Sequence, residues 1–208
     1  MSADTSLRIL LAGVGGQGVL TGARVIGEAA LAAGLPVRIG QLHGMSQRGG
    51  SVEATVVIGP GRTAFVGAGA CDCLLALEPL EALRASARLK PGAQVWLNTA
   101  TLVPATLGAL GRPYPSLPQI EQALAARGAR VHSLDASALA ARAGAARAVS
   151  PVMLGVLVGA GRLPVSERQF EQAMRDFTPP RVLETTLRAW RLGIDASMQQ
   201  SGKEAERA

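Results

Sequence analysis

The residues best equipped to do chemistry fall in two glycine-bearing stretches. The first reads "GVGGQG": Gly13, Gly15 and Gly18 match G-x-G-x-x-G, with Gly16 and Gln17 inside the turn. Such a turn between a strand and a helix lets backbone N–H groups close on an anion at the positive end of the helix. The same glycines also allow a strand and a helix to pack closely with no ligand at all. The residues alone leave these two readings evenly balanced. The second stretch, "HGMSQRGGS", runs from His43 to Ser51 and gathers unlike polar groups: the His43 imidazole, the Ser46 hydroxyl, the Gln47 amide and the Arg48 guanidinium. Arg48 carries the planar fork that grips phosphate or carboxylate, and Gly49-Gly50 can form a nest of N–H donors. A solvated loop is the alternative, disfavoured by so compact a mixture of these residue types.

Several familiar chemistries lack their residues. A dinucleotide site normally has a carboxylate about 20 residues beyond the turn for the ribose hydroxyls. Here that region reads "VRIGQLHG", with no acid, and Arg38 lies mid-strand. No G-x-x-x-x-G-K-[ST] and no G-x-S-x-G is present. Without a nucleophile and an orienting acid, His43 reads better as a hydrogen-bonded structural histidine than as a base. His132, in a short apolar run, reads as a satisfied core residue, and two histidines without an acidic cluster make no metal site. Cys71 and Cys73, two apart, should share one face of a strand as small buried thiols.

The elements that must carry these loops follow from apolar periodicity. Leu7–Ala12 is a nearly continuous apolar run, the mark of a strand covered on both faces. From Gly18 to Ala33, Val19, Ala23, Ile26, Ala30 and Ala33 step by three and four as one helical stripe, ended by Gly34. Pro36–Gln41 is a second strand, expected beside the first, so that both loops emerge at the carboxyl edge of one sheet. "VEATVVI" and "TAFV" around "GPGR" suggest an inserted hairpin. Strands are expected at Asp72–Pro79, in "QVWLN" and at Arg130–Leu134, with a helix through Leu89 closed by "KPG". Residues 99–118 hold four prolines and read as an irregular excursion. Helices follow at Gln119–Arg127, Ala136–Ala143 and Pro151–Gly159, then after a capping box of Ser166 and Gln169, and over Arg181–Ile194. This is an α/β class chain: a Rossmann-like three-layer sandwich with a mostly parallel, mixed sheet, an inserted β-hairpin and a helical C-terminal end. Residues 1–195 form a single domain and 196–208 a polar, disordered tail.

Composition narrows the setting. Aromatics are 3% of 208 residues, so the core must be built from Ala, Val, Leu and Ile. The net charge of +6 comes from arginines spaced singly along helices without interleaved aromatics, which argues against nucleic acid. No run approaches the roughly 18 apolar residues of a membrane span, and no basic segment followed by an apolar one opens the sequence, so a cytoplasmic chain is expected.

Taken together, "GVGGQGV", "LHGMSQRGGSVEATVVIG" and "ACDCLLALEPLEALR" resemble the gamma domain of the 2-oxoacid:ferredoxin oxidoreductases, and within that family its indolepyruvate branch. The match rests on Gly13, Gly15, Gly16, Gln17 and Gly18, and on His43, Gly44, Met45, Gln47, Arg48, Gly49 and Gly50. Glu78-Pro79, Glu81 and Asn98 extend it, and "YPSLPQIEQAL" and "VMLGVL" carry it to about Val158. Two positions depart from the family pattern: Ser150 stands where an amide is usual, and Trp190 lies in "RAWRLG" where an Asn-containing segment is expected.

The resemblance implies a subunit that is inactive alone. Its enzymes convert an aryl 2-oxo acid, CoA and oxidised ferredoxin into an acyl-CoA, carbon dioxide and reduced ferredoxin. Thiamine diphosphate, magnesium and iron–sulfur clusters belong to the larger alpha subunit. This chain has neither a G-D-G…N stretch nor C-x-x-C-x-x-C. The expectation is therefore a non-catalytic subunit that docks to the alpha subunit, with ferredoxin engaged through the complex. It binds no cofactor by itself, and CoA at the interface is left open. The candidate contact residues are those of the two loops, with Arg48 as anion anchor. Two alternatives remain: a free-standing nucleotide- or flavin-binding protein, and a homodimer of the isolated chain formed through its apolar docking face.

Overall fold

A computed structural model of the chain describes residues 6–43, 50–102 and 113–205. Six strands form one mixed sheet: β1 (Leu7–Val14), β2 (Val37–His43), β3 (Ser51–Ile58), β4 (Cys71–Ala76), β5 (Leu89–Asn98) and β6 (Arg130–Leu134). Their spatial order is β2-β3-β1-β4-β5-β6. The half from β1 to β6 is parallel, as unbroken runs such as "ILLA" and "CLLALE" require of strands covered on both faces. Among the described residues seven helices flank it: α1 (Val19–Ala32), α2 (Pro79–Ala85), α3 (Leu117–Ala125), α4 (Ala136–Arg142), α5 (Val149–Gly159), α6 (Glu167–Phe177) and α7 (Pro180–Ala205). One core layer joins Ile9, Leu11 and Leu75 of the sheet to α1, α5, α6 and α7, while the other joins Leu10, Leu74 and Val95 to α2 and α3. The three-layer α/β architecture is as the sequence indicates.

Several local expectations change. β1 and β2 are not neighbours, because β3 lies between them and is antiparallel to both. β3 finds no hairpin partner in "TAFV", which has no strand structure. Its partners come from earlier in the chain, because two long hydrogen-bonded ladders outweigh one short arm. "KPG" does not close a helix. α2 passes through a 3-10 turn at Ser86–Arg88 directly into β5, which contains those three residues. The two cysteines do not share a face. A register shift in β4–β5 pairing sets Cys71↔Leu89 beside Cys73↔Gln94, and it turns Cys71 into the layer with Leu74 and Cys73 into the layer with Leu75. Finally, α7 continues to Ala205, past the expected tail boundary at 195, and Ser197 is buried in it.

The register places the site. Val14 pairs with Ser51 and His43 with Val52, so β1 and β2 end, and β3 begins, at one edge of the sheet.

Candidate functional site

The glycine turn leaves β1 at this carboxyl edge. Gly16 has φ +102° and Gly18 has φ +86°, backbone that glycine reaches without strain. Gly13 serves packing instead: a Cβ there would lie 2.8 Å from Gln17 Oε1 and 3.1 Å from Leu77 Cβ. The packing reading of the turn therefore holds at Gly13, and Gly16 and Gly18 carry the left-handed backbone of the turn itself. α1 begins at Gly18 with no side-chain cap and no acidic residue in its first turn, which leaves its positive end open. Gln17 turns inward. The Val14 N–H donates to Gln17 Oε1 (2.7 Å), and Gln17 Nε2 donates to the Leu77 carbonyl (2.9 Å).

The second stretch meets the first. The Gly15 N–H donates to the Gly50 carbonyl at 2.9 Å, which ties the glycine turn to the last glycine of the second stretch. His43 closes β2. Gly44, Met45, Ser46, Gln47, Arg48 and Gly49 lie outside the described residues.

Behind the turns, three more side chains knit the strand ends. Asn98, fully buried at the end of β5, donates from Nδ2 to the Leu77 carbonyl (2.9 Å) and accepts from the Ala136 N–H (3.1 Å). Glu78 caps α2 and accepts from the Glu81 N–H (3.1 Å), the Leu102 N–H (3.2 Å) and the Tyr114 hydroxyl. Glu81 accepts from Ser51 Oγ (2.5 Å) and Arg84 Nη1 (2.6 Å). Burial pushes the Glu81 carboxyl above its usual range, against the Ser51 hydrogen bond and the Arg84 charge, which pull it down.

Two cavities flank the glycine turn. A 480 Å³ cavity lies between the turn, α1, α5 and α7, floored by Val25, Leu154 and Met174. A 400 Å³ cavity lies between Gly15–Gln17 and the Ala100–Leu102 segment beyond β5. Gly16, Gln17, Ala146 and Arg147 line both, so an exposed guanidinium stands where they meet. Sequence reasoning missed Arg147. "GAARAVS" carries no motif, and only the fold brings it to a turn about 130 positions earlier. Ser150, the departure from the family pattern, donates to the Gly18 carbonyl at 3.1 Å and supports the turn from behind. Trp190, the other departure, is fully buried and stacks on Phe170 with centroids 6.4 Å apart.

The remaining candidates are structural. Cys71 and Cys73 are free and buried, with desolvation raising each thiol to about 12. His132 stacks on Trp96 and lies 3.1 Å from Gln94 Oε1. Among the described residues no three His, Cys, Asp or Glu side chains gather to hold a metal ion, and no helix is long and apolar enough to cross a membrane.

Residues 8–196 match the Pyruvate ferredoxin/flavodoxin oxidoreductase family. The chain belongs to this family. Indolepyruvate oxidoreductase subunit IorB of Methanothermobacter thermautotrophicus is 36% identical over 191 residues, which is 92% of this chain and 97% of that protein. Among solved structures, the keto/oxoacid ferredoxin oxidoreductase gamma subunit of Geobacter sulfurreducens shares the fold at TM-score 0.68 and 23% identity, covering 93% of this chain and 99% of that one. The 2-oxoglutarate:ferredoxin oxidoreductase of Magnetococcus marinus, solved with 2-oxoglutarate, coenzyme A and succinyl-CoA, aligns at TM-score 0.72 and 19% identity. There the match covers 94% of this chain but 32% of the longer one. The family match and the IorB relative bear out an oxidoreductase subunit, and the solved structures bear out the fold. Within the family, the turn, Asn98 and the Glu78–Glu81 pair form one connected edge in this chain, linked through Leu77 and Gly50.

Proposed function

We propose that this chain is the docking and site-shaping subunit of a thiamine diphosphate-dependent 2-oxoacid:ferredoxin oxidoreductase acting on aryl pyruvates in the cytoplasm. Its carboxyl edge meets the larger alpha subunit, and the glycine turn takes the pyrophosphate of CoA. The observation that carries this reading is the hydrogen bond from Gly15 to Gly50, which ties the glycine turn to the residue where the second motif enters β3. The two cavities support it. A ligand with an anionic centre and two long arms matches two hollows that meet at Arg147 and an uncapped helix start.

The thiamine cofactor, its magnesium and the iron–sulfur clusters are assigned to the partner. Two cysteines, buried on opposite faces of the sheet, are not a ligand set for a cluster that takes four thiolates. Those groups supply the decarboxylation and electron transfer when bound. The residues of this chain bind, orient and exclude water.

Co-expression with the alpha subunit tests the proposal. A stable complex with 2-oxo acid activity is expected, together with a higher KM for CoA in Arg48→Ala and Arg147→Ala. Unchanged activity in Arg48→Ala would remove the anchoring role from Arg48. A flavin spectrum in the purified chain, or a thermal shift with NAD(P) and none with CoA, would favour a free-standing nucleotide-binding protein instead.

A further inference from the structure

Two buried carboxyl groups at one helix end play no part in the docking reading so far. Glu78 and Glu81 are 0% and 1% exposed and occupy the N-cap and first turn of α2. Their hydrogen bonds must offset a large desolvation cost, and well-packed apolar residues in place of buried ionic groups are often neutral or better. Glu81 shows the strain, since burial raises its carboxyl despite the Arg84 cation beside it.

What the pair provides is placement. Glu81 holds Ser51 Oγ at 2.5 Å, and the preceding residue, Gly50, holds the Gly15 N–H at 2.9 Å. Gly15 lines the 400 Å³ cavity. Glu78 holds the Leu102 N–H at 3.2 Å, and Leu102 lines the same cavity from a separate segment. The Tyr114 hydroxyl, which donates to Glu78 and accepts from the Leu80 N–H at 3.1 Å, locks the Glu78 carboxylate in that position. One carboxylate therefore reaches one wall and the other reaches a separate wall, and the two are joined by the Glu81 N–H bond to Glu78 at 3.1 Å.

We propose that Glu78 and Glu81 are positioning residues that set the width of this cavity, with α2 as the rigid spacer between its walls. The inference rests on the docking reading, in which the cavity receives one arm of the acyl carrier. The carboxylates touch no ligand. They fix the backbone that does.

The test uses the complex with the alpha subunit and the near-isosteric variants Glu78→Gln and Glu81→Gln, together with Ser51→Ala. Each is expected to assemble normally and to raise the KM for CoA about tenfold while kcat changes less than twofold, the size of one lost charged hydrogen bond. Ser51→Ala combined with Glu81→Gln should be no worse than Glu81→Gln alone, because Glu81 reaches the wall through Ser51. An unchanged KM for CoA in an assembled, active complex overturns the positioning role and leaves the docking reading standing. A fall in kcat with loss of assembly overturns it in favour of a purely structural role. Failure of the wild-type chain to bind an alpha subunit overturns both readings together.

Discussion

Two regions of this molecule hold the chain together by opposite means. At the α5–α7 crossing, contact depends on side chains that are missing. A Cβ on Gly155 would lie 2.0 Å from the Trp190 carbonyl oxygen, and one on Gly193 would lie 2.0 Å from the Val152 carbonyl oxygen. The helices meet backbone to backbone, and neither can yield. At the carboxyl edge of the sheet, contact depends on side chains that reach: Gln17, Asn98, Glu78 and Glu81 span gaps between strand ends with directed hydrogen bonds. The first region is rigid and serves stability. The second is polar, and each of its bonds fixes the shape of a surface. A site belongs where geometry can be tuned one bond at a time, and the close-packed crossing gives that site its fixed base.

The largest break in this comparison should come from Gly155→Ala, which pushes a methyl group into a carbonyl. A loss of about 3 kcal/mol or more in urea-induced unfolding is expected, and a loss below 1 kcal/mol would mean the crossing is not close-packed. Asn98→Ala comes next. It strips a partner from the Leu77 carbonyl and the Ala136 N–H in a buried place, and about 2 kcal/mol should be lost. Gln17→Ala should cost about 1 kcal/mol, since its site is only half-buried and water can replace the amide. Its larger effect should be on affinity for the alpha subunit, measured by titration.

Glu81 sharpens the comparison through pH. Unfolded, its carboxyl titrates near 4.5, and burial raises that value in the folded chain. Between the two values the folded state holds more protons, so the Glu81 contribution to stability falls as pH rises through that window. Glu81→Gln removes the dependence. The stability of the variant relative to wild type should therefore rise from below pH 4.5 to neutrality, and a flat difference would show that burial does not strain this carboxyl. The smallest expected effect is none. Cys71 and Cys73, raised to about 12 inside opposite layers, should resist a thiol reagent at pH 8 until the chain unfolds.

Much of the molecule was legible in advance, and the legible parts are local. β6 spans Arg130–Leu134 as the apolar pattern indicates, and Ser166 accepts from the Gln169 N–H as its capping box requires. α1 has its stripe and its terminating Gly34 at φ +72°. The glycine turn falls between strand and helix, because φ preferences and periodicity act over a few residues. The two loops were also rightly placed on one edge, although for an incomplete reason. β1 and β2 are parallel but separated by β3, and the Gly15–Gly50 bond, not strand adjacency, joins them.

The sequence by itself determined which segments are strands and helices, where the turns fall and which family the motifs indicate, since each of these is encoded in neighbouring residues. Only the tertiary structure decided that β3 would insert between β1 and β2, that a register shift would send the two cysteines to opposite layers, and that Arg147 would stand beside Gly16. It also decided that Glu78 would hold the Leu102 N–H and Glu81 the Ser51 hydroxyl. Those outcomes depend on ladder pairing and burial between residues tens of positions apart, where competing arrangements differ by a few hydrogen bonds and no local preference chooses between them.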